Sequence, residues 1–138
     1  MSFELDPKLA ADTFLVGDLA LSRVLLMNDA RYDWLILVPR RAGLVEIFDL
    51  QPGERAVLIE EISEAAKVLS ARRDVEKVNV GALGNIVRQL HIHVVGRHAG
   101  DAAWPGPVWG KGAALIHGPD EAVRKAAEFR VALGLGLG

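Results

Sequence analysis

Hydrophobic and polar positions change their period along the chain, and those changes mark out its elements. Residues 14–16 and 21–27 read as apolar strands joined by a tight turn at Gly17-Asp18. Ahead of them, Asp6-Pro7 starts a helical turn over residues 8–11, with Pro7 at its first position. Residues 28–33 are polar and loop-like, and Trp34-Leu35-Ile36-Leu37-Val38 is a short apolar strand stopped by Pro39. From Pro52 to about Arg73 the period becomes helical. Ile59, Ile62, Ala66 and Leu69 recur on one face, and Glu60, Glu61, Glu64 and Lys67 line the other. Val78-Asn79-Val80 is the next strand, a loop of small residues spans 81–84, and residues 87–95 form a further strand.

Residues 96–112 have no period and are rich in Gly, Pro and Trp. They predict an ordered loop or arm, because Trp104, Val108 and Trp109 are costly to leave in water. A second, weaker amphipathic helix spans 119–133, with Asp120 and Glu121 in its first turn where they favour the helix dipole. Residues 133–138, alternating Leu and Gly, read as a loose tail. The links among the early strands are too short for parallel crossovers, so the pairing is antiparallel. Strands, a helix, then more strands make the fold class α+β. With no internal repeat and no boundary signal, the chain predicts one domain over 1–138, its core about 14–110 and its C-terminal helix about 119–133.

Composition narrows the chemistry by exclusion. A chain of 138 residues can bury a real core. Its formal net charge of −2, with both signs mixed along the sequence, offers no bulk electrostatic attraction for nucleic acid or an anionic membrane. It has no cysteine, which removes disulfides, thiolate metal sites and thiol nucleophiles. The first residues lack the pattern of a signal peptide, and no uncharged apolar run approaches bilayer length. The expected location is cytoplasmic, with no nucleic-acid or membrane partner.

The informative segment is Gln89-Leu90-His91-Ile92-His93-Val94-Val95. Alternate side chains of a strand point to opposite faces, so Leu90, Ile92 and Val94 share the core face while Gln89, His91 and His93 share the other, about 7 Å apart. Three readings stay open on this pattern alone. The pair of histidines is a tolerated surface feature, or it supplies two metal ligands with His98 or Asp101 as a third, or it performs covalent chemistry. Neutral imidazole is a good nucleophile near pH 7. Attack on phosphorus also requires donors for the anionic oxygens, and His93, Gln89, Asn85 and the amides around Gly84 can supply them. There is no phosphate-binding Gly-Lys-Ser/Thr loop and no carboxylate cluster for magnesium.

The same segment resembles the signature of the histidine triad (HIT) superfamily, His-φ-His-φ-His-φ-φ with φ apolar, except that Gln89 replaces the first histidine. The likeness continues outward. Gly84-Asn85-Ile86-Val87-Arg88 is similar to the Gly-Gln-Ser-Val-x that precedes the triad. Leu26-Met27-Asn28 followed by Trp34-Leu35-Ile36-Leu37-Val38-Pro39 is similar to the nucleoside-side segment, with Trp34 where histidine is common. Glu46-Ile47-Phe48-Asp49-Leu50 resembles the link into the long helix, and Trp104-Pro105-Gly106-Pro107-Val108-Trp109-Gly110 the Trp-Pro segment of some members. The order matches over roughly residues 14–110.

The resemblance implies an antiparallel HIT-like sheet with one long helix and a C-terminal helix, joined across a homodimer. It implies a hydrolase or transferase of nucleotide phosphates, acting on a phosphoanhydride such as a dinucleoside polyphosphate without cofactor or metal. His91 is then the nucleophile that forms a nucleotidyl-histidine, with His93 and Gln89 as its catalytic neighbours. Asn28, Asn85 and Gly84 are the substrate contacts, Asn28 toward the ribose. Ile86 stands where many members have a serine near the leaving group, which fits a leaving group that departs as a stable anion. A module that binds a nucleotide with little turnover, its triad incomplete, is the alternative, beside the histidine metal site. His117 carries no motif and reads as a surface or cap residue.

Overall fold

In the computed structural model, which describes residues 2–135, five strands form one antiparallel sheet in the order β1-β2-β3-β5-β4. The strands are β1 (Thr13–Asp18), β2 (Ser22–Met27), β3 (Asp33–Pro39), β4 (Lys77–Gly81) and β5 (Ile92–Arg97). Three α-helices accompany them: α1 (Pro7–Asp12), α2 (Pro52–Ser70) and α3 (Pro119–Ala132). The α+β antiparallel architecture agrees with the expectation from the sequence. Of the predicted tail, residues 136–138 lie outside the described residues.

Both large helices cover one face. Val16, Val24, Leu26, Leu35, Leu37, Ile92 and Val94 of the sheet meet Leu58, Ala65 and Leu69 of α2 and Ala126 and Phe129 of α3. Phe129 is fully buried under Arg72, whose guanidinium sits 4.6 Å from its ring centre. Burying a side chain of that size contributes roughly 1.5–3 kcal/mol. The opposite face is also covered. Leu25, Trp34, Ile36, Val38 and Val95 pack there against Leu9 of α1 and Val108 of the long loop, with Phe3 and Leu5 alongside. The sheet is thus sandwiched between helices and a thinner layer made from the segment before β1 and the segment after β5.

Four sequence expectations change. The turn between β1 and β2 falls at residues 19–21 instead of Gly17-Asp18, because a bulge between Leu15 and Gly17 lets the ladder continue to the ion-paired Asp18 and Arg23. Helix α2 ends at Ser70, and its buried stripe is Leu58, Glu61, Ala65 and Leu69, while Ile59 points out. Glu61 lies inside because its carboxylate accepts hydrogen bonds from the Leu21 and Ser22 amides at 2.8 and 3.0 Å, which start β2. Strand β5 starts at Ile92 instead of residue 87, since the Leu90 amide donates to the Leu44 carbonyl instead of entering the ladder. His117 is buried next to Asn28 and does not lie on the surface.

Candidate active site

The alternation read from the sequence survives the late start of β5. Leu90, Ile92 and Val94 enter the helix-covered core, and His91 and His93 face the other way. Both imidazoles are only 6–7 % exposed, yet both border a cavity of about 440 Å³ on that face. Their ring centres are 4.9 Å apart, with planes inclined by 68°.

Their hydrogen bonds assign opposite tautomers. His91 Nδ1 lies 2.7 Å from the Gln89 carbonyl oxygen, which can only accept, so Nδ1 carries the proton and Nε2 keeps its lone pair. The indole Nε1 of Trp34, which can only donate, lies 3.0 Å from His93 Nδ1. His93 therefore accepts at Nδ1 and presents an N–H at Nε2. Burial, reinforced by the neighbouring His91, pushes the His93 pKa down to about 3, so the ring is neutral at ordinary pH. The pair joins one imidazole with a free lone pair to another with a fixed donor.

The remaining candidates divide. Gly84 and Asn85 line the cavity on the loop before β5, and Gly84 has φ +70°, a left-handed conformation that favours glycine. The Gln89 side chain points elsewhere: its amide binds the backbone of Glu4 and Asp6. Only its carbonyl touches a triad residue. Asn28 is not part of the cavity lining. Its carboxamide oxygen accepts from the His117 amide at 2.9 Å and lies 3.1 Å from His117 Nδ1, tying β2 to the chain entering α3.

The Trp-Pro segment forms a cavity wall. Trp109 stands 5.4 Å from His93, ring centre to ring centre, and its six-membered ring rests on Gly81, where an added Cβ would come within 2.9 Å of Cη2. Arg97 at the end of β5 anchors this arm. Its guanidinium donates twice to Asp101, at 2.7 and 2.9 Å, and also to Asn79 Oδ1 and the Gly106 carbonyl. Arg97 holds the Asp101 carboxyl down at about 2. Asp101 is thereby committed to the arm, and the Nδ1 of His98 pairs with the Ala99 carbonyl at 3.1 Å. Among the described residues, no group of three His, Cys, Asp or Glu side chains is placed to hold a metal ion.

Sequence reasoning did not find Lys8, Leu9 and Asp12 of α1, nor Asp29 and Arg31, all of which line the cavity. Leu9, the one large apolar side chain of α1, was the local sign that this helix packs on something.

A HIT domain family model matches residues 8–100. The structure is similar to a histidine triad protein of Bradyrhizobium japonicum, with a TM-score of 0.92 and 44 % identity over 96 % of this chain and 99 % of that one. It is similar to one of Sinorhizobium meliloti 1021, with a TM-score of 0.88 and 47 % identity over 98 % and 97 %. A third, of Marinobacter aquaeolei VT8, gives a TM-score of 0.94 and 40 % identity over 98 % of each chain. No curated protein matches significantly.

Proposed function

The chain belongs to the HIT domain family, whose members are nucleotide-binding hydrolases and transferases, and from that membership we propose that it cleaves a nucleoside phosphoanhydride through a nucleotidyl group carried on His91. The observation that carries the reading is the opposed tautomers of the two histidines, one a nucleophile and its neighbour a donor.

In the first step His91 Nε2 forms a bond to phosphorus, and the bridging P–O bond breaks with its electron pair leaving on the departing phosphate. Positive charge develops on the imidazole, and the Gln89 carbonyl that accepts from Nδ1 stabilises it. His93 donates from Nε2 to a non-bridging oxygen, and the Gly84–Asn85 rim supplies further donors. In the second step water attacks phosphorus, the N–P bond returns its pair to Nε2, and the water proton passes to solvent. The products are a nucleoside monophosphate and the released phosphate fragment.

A leaving group that departs as a stable anion suits this site. His93 is neutral, with Nδ1 committed to Trp34, and Ile86 is largely exposed where a hydroxyl would otherwise stand. Asn28 acts indirectly, holding the segment after Ala114 in place, a residue that itself lines the cavity. The protein works in the cytoplasm as a homodimer, joined through β4, which is an edge strand with Val80 half exposed. No described helix is long and apolar enough to cross a membrane.

The test is an intact mass spectrum after brief exposure to a panel of dinucleoside polyphosphates, with His91→Ala in parallel. An added nucleoside monophosphate mapped to His91, and loss of turnover in the variant with its fold intact, is the expected result. Full turnover in His91→Ala removes the nucleophile. Nucleotide binding without turnover or adduct leaves a binding module instead.

A further inference from the structure

The residue that breaks the triad pattern has a different partner from its neighbours. The Gln89 carboxamide accepts from the Asp6 amide at Oε1, 2.8 Å, and donates from Nε2 to the Glu4 carbonyl, also 2.8 Å. These two backbone groups flank Leu5 on one edge of an extended segment, so the amide pairs with the chain as an added strand would. That pair anchors the chain on both sides of it. Asp6 caps α1 through the Lys8 amide, Leu9 is buried on the sheet, and the Asp12 carbonyl accepts from the Asn28 amide. Phe3, just before the clamp, sits under the Arg23 guanidinium at 5.5 Å. Lys8, Leu9 and Asp12 then form one side of the cavity that holds His91 and His93.

We propose that Gln89 is a positioning residue: its carboxamide latches residues 3–12 across the sheet and so builds the part of the substrate-binding wall that α1 supplies, while His91 performs the chemistry. The assignment of a substrate to that cavity rests on the nucleotidyl mechanism of His91; the latch itself does not. It gives the glutamine a reason that an incomplete triad lacks. A carboxamide carries a donor and an acceptor on one carbon, side by side, and so meets two groups on one backbone edge. The two nitrogens of an imidazole diverge from opposite parts of the ring and cannot. Histidine at this position would satisfy at most one of the two backbone groups and leave the other to water. Glutamate, nearly the same shape, would set an acceptor against the Glu4 carbonyl.

The full chain is compared with Gln89→Glu and Gln89→His by hydrogen exchange without ligand and by steady-state kinetics on a dinucleoside polyphosphate. Amides of residues 5–12 should exchange at least tenfold faster in both variants, with the amides of β3 and β5 unchanged. KM should rise about three- to thirtyfold while kcat falls less than threefold, because the Gln89 backbone carbonyl still orients His91. With residues 2–6 removed, Gln89→Glu should have no further effect on KM. Unchanged exchange in residues 5–12 overturns the latch whatever the substrate proves to be. A sharp rise of kcat in Gln89→His overturns it too, since it would show a missing catalytic imidazole. If no substrate is turned over, the nucleotidyl reading fails, and the exchange comparison still decides the latch.

Discussion

Replacing Trp34 by Phe removes the indole N–H and, because a phenyl ring is smaller than an indole, leaves a small cavity at this buried position. The indole meets His93, Tyr32 and Trp109 edge-on, with ring centres 5.6, 6.0 and 6.4 Å away, and a phenyl ring keeps part of those contacts. The polar group that disappears is the 3.0 Å donor to His93 Nδ1. A buried hydrogen bond of this kind is worth on the order of 1 kcal/mol net, and an orphaned buried acceptor costs about 1–3 kcal/mol. The variant should therefore lose at least that much stability in urea unfolding, the cavity adding to it. Freed of the indole, His93 can also place its proton on Nδ1, and the Nε2 donor at the cavity, proposed to meet the phosphate, is then present only part of the time. Complete loss of an oxyanion donor costs about a hundredfold or more in kcat, so a partial loss near tenfold in kcat is expected, with KM little changed. Imidazole nitrogen NMR reports the tautomer directly, and a double-mutant cycle with His93→Gln isolates the coupling. The reasoning is refuted if the His93 nitrogens look the same with and without the indole, or if the two substitutions add independently.

Charge and burial lead to two other outcomes. His93 titrates near 6.5 when unfolded and about 3 when folded, so the unfolded chain binds the extra proton between those values, and stability falls as pH drops through 6.5 toward 3. By pH 5 the loss from this one ring is about 2 kcal/mol, and His93→Gln should flatten a urea-denaturation series over that range; an equally steep series in the variant contradicts the assignment. Asp101→Asn leaves the Arg97 guanidinium buried without its counter-charge, both side chains being 1 % exposed, and should cost about 3 kcal/mol or more. The arm should loosen with it, seen as a change in Trp109 fluorescence, and an unaltered midpoint and spectrum would dismiss Arg97 as its anchor.

What the sequence reveals here is what has a short period. Alternation alone separates Leu90, Ile92 and Val94 from His91 and His93, and it holds even though β5 begins five residues later than the apolar run suggests. The helix of residues 52–70 is visible for the same reason, but its phase is not. Glu61 looks like a solvent-facing charge and Ile59 like a core residue until the amides of Leu21 and Ser22, some forty positions earlier, take the carboxylate. The fate of Gln89 lies at a still longer range, since its partners are 83 and 85 positions away. The protonated nitrogens of the two histidines were equally hidden, because a carbonyl and an indole fix them and neither has a sequence signature. Partners far along the chain that meet through backbone atoms leave no pattern to read.

The division between sheet and overlay has a consequence for synthesis. Every strand and both histidines lie within residues 13–97, but the cavity borrows one side from α1 and the other from residues 108–114. The residues that close the second side follow the last strand in chain order, so they leave the ribosome after both rings. A nascent chain holding residues up to 97 would display His91 and His93 on a bare, half-covered surface and bind small anions poorly. The cavity would then be completed late, as Trp109 settles onto Gly81.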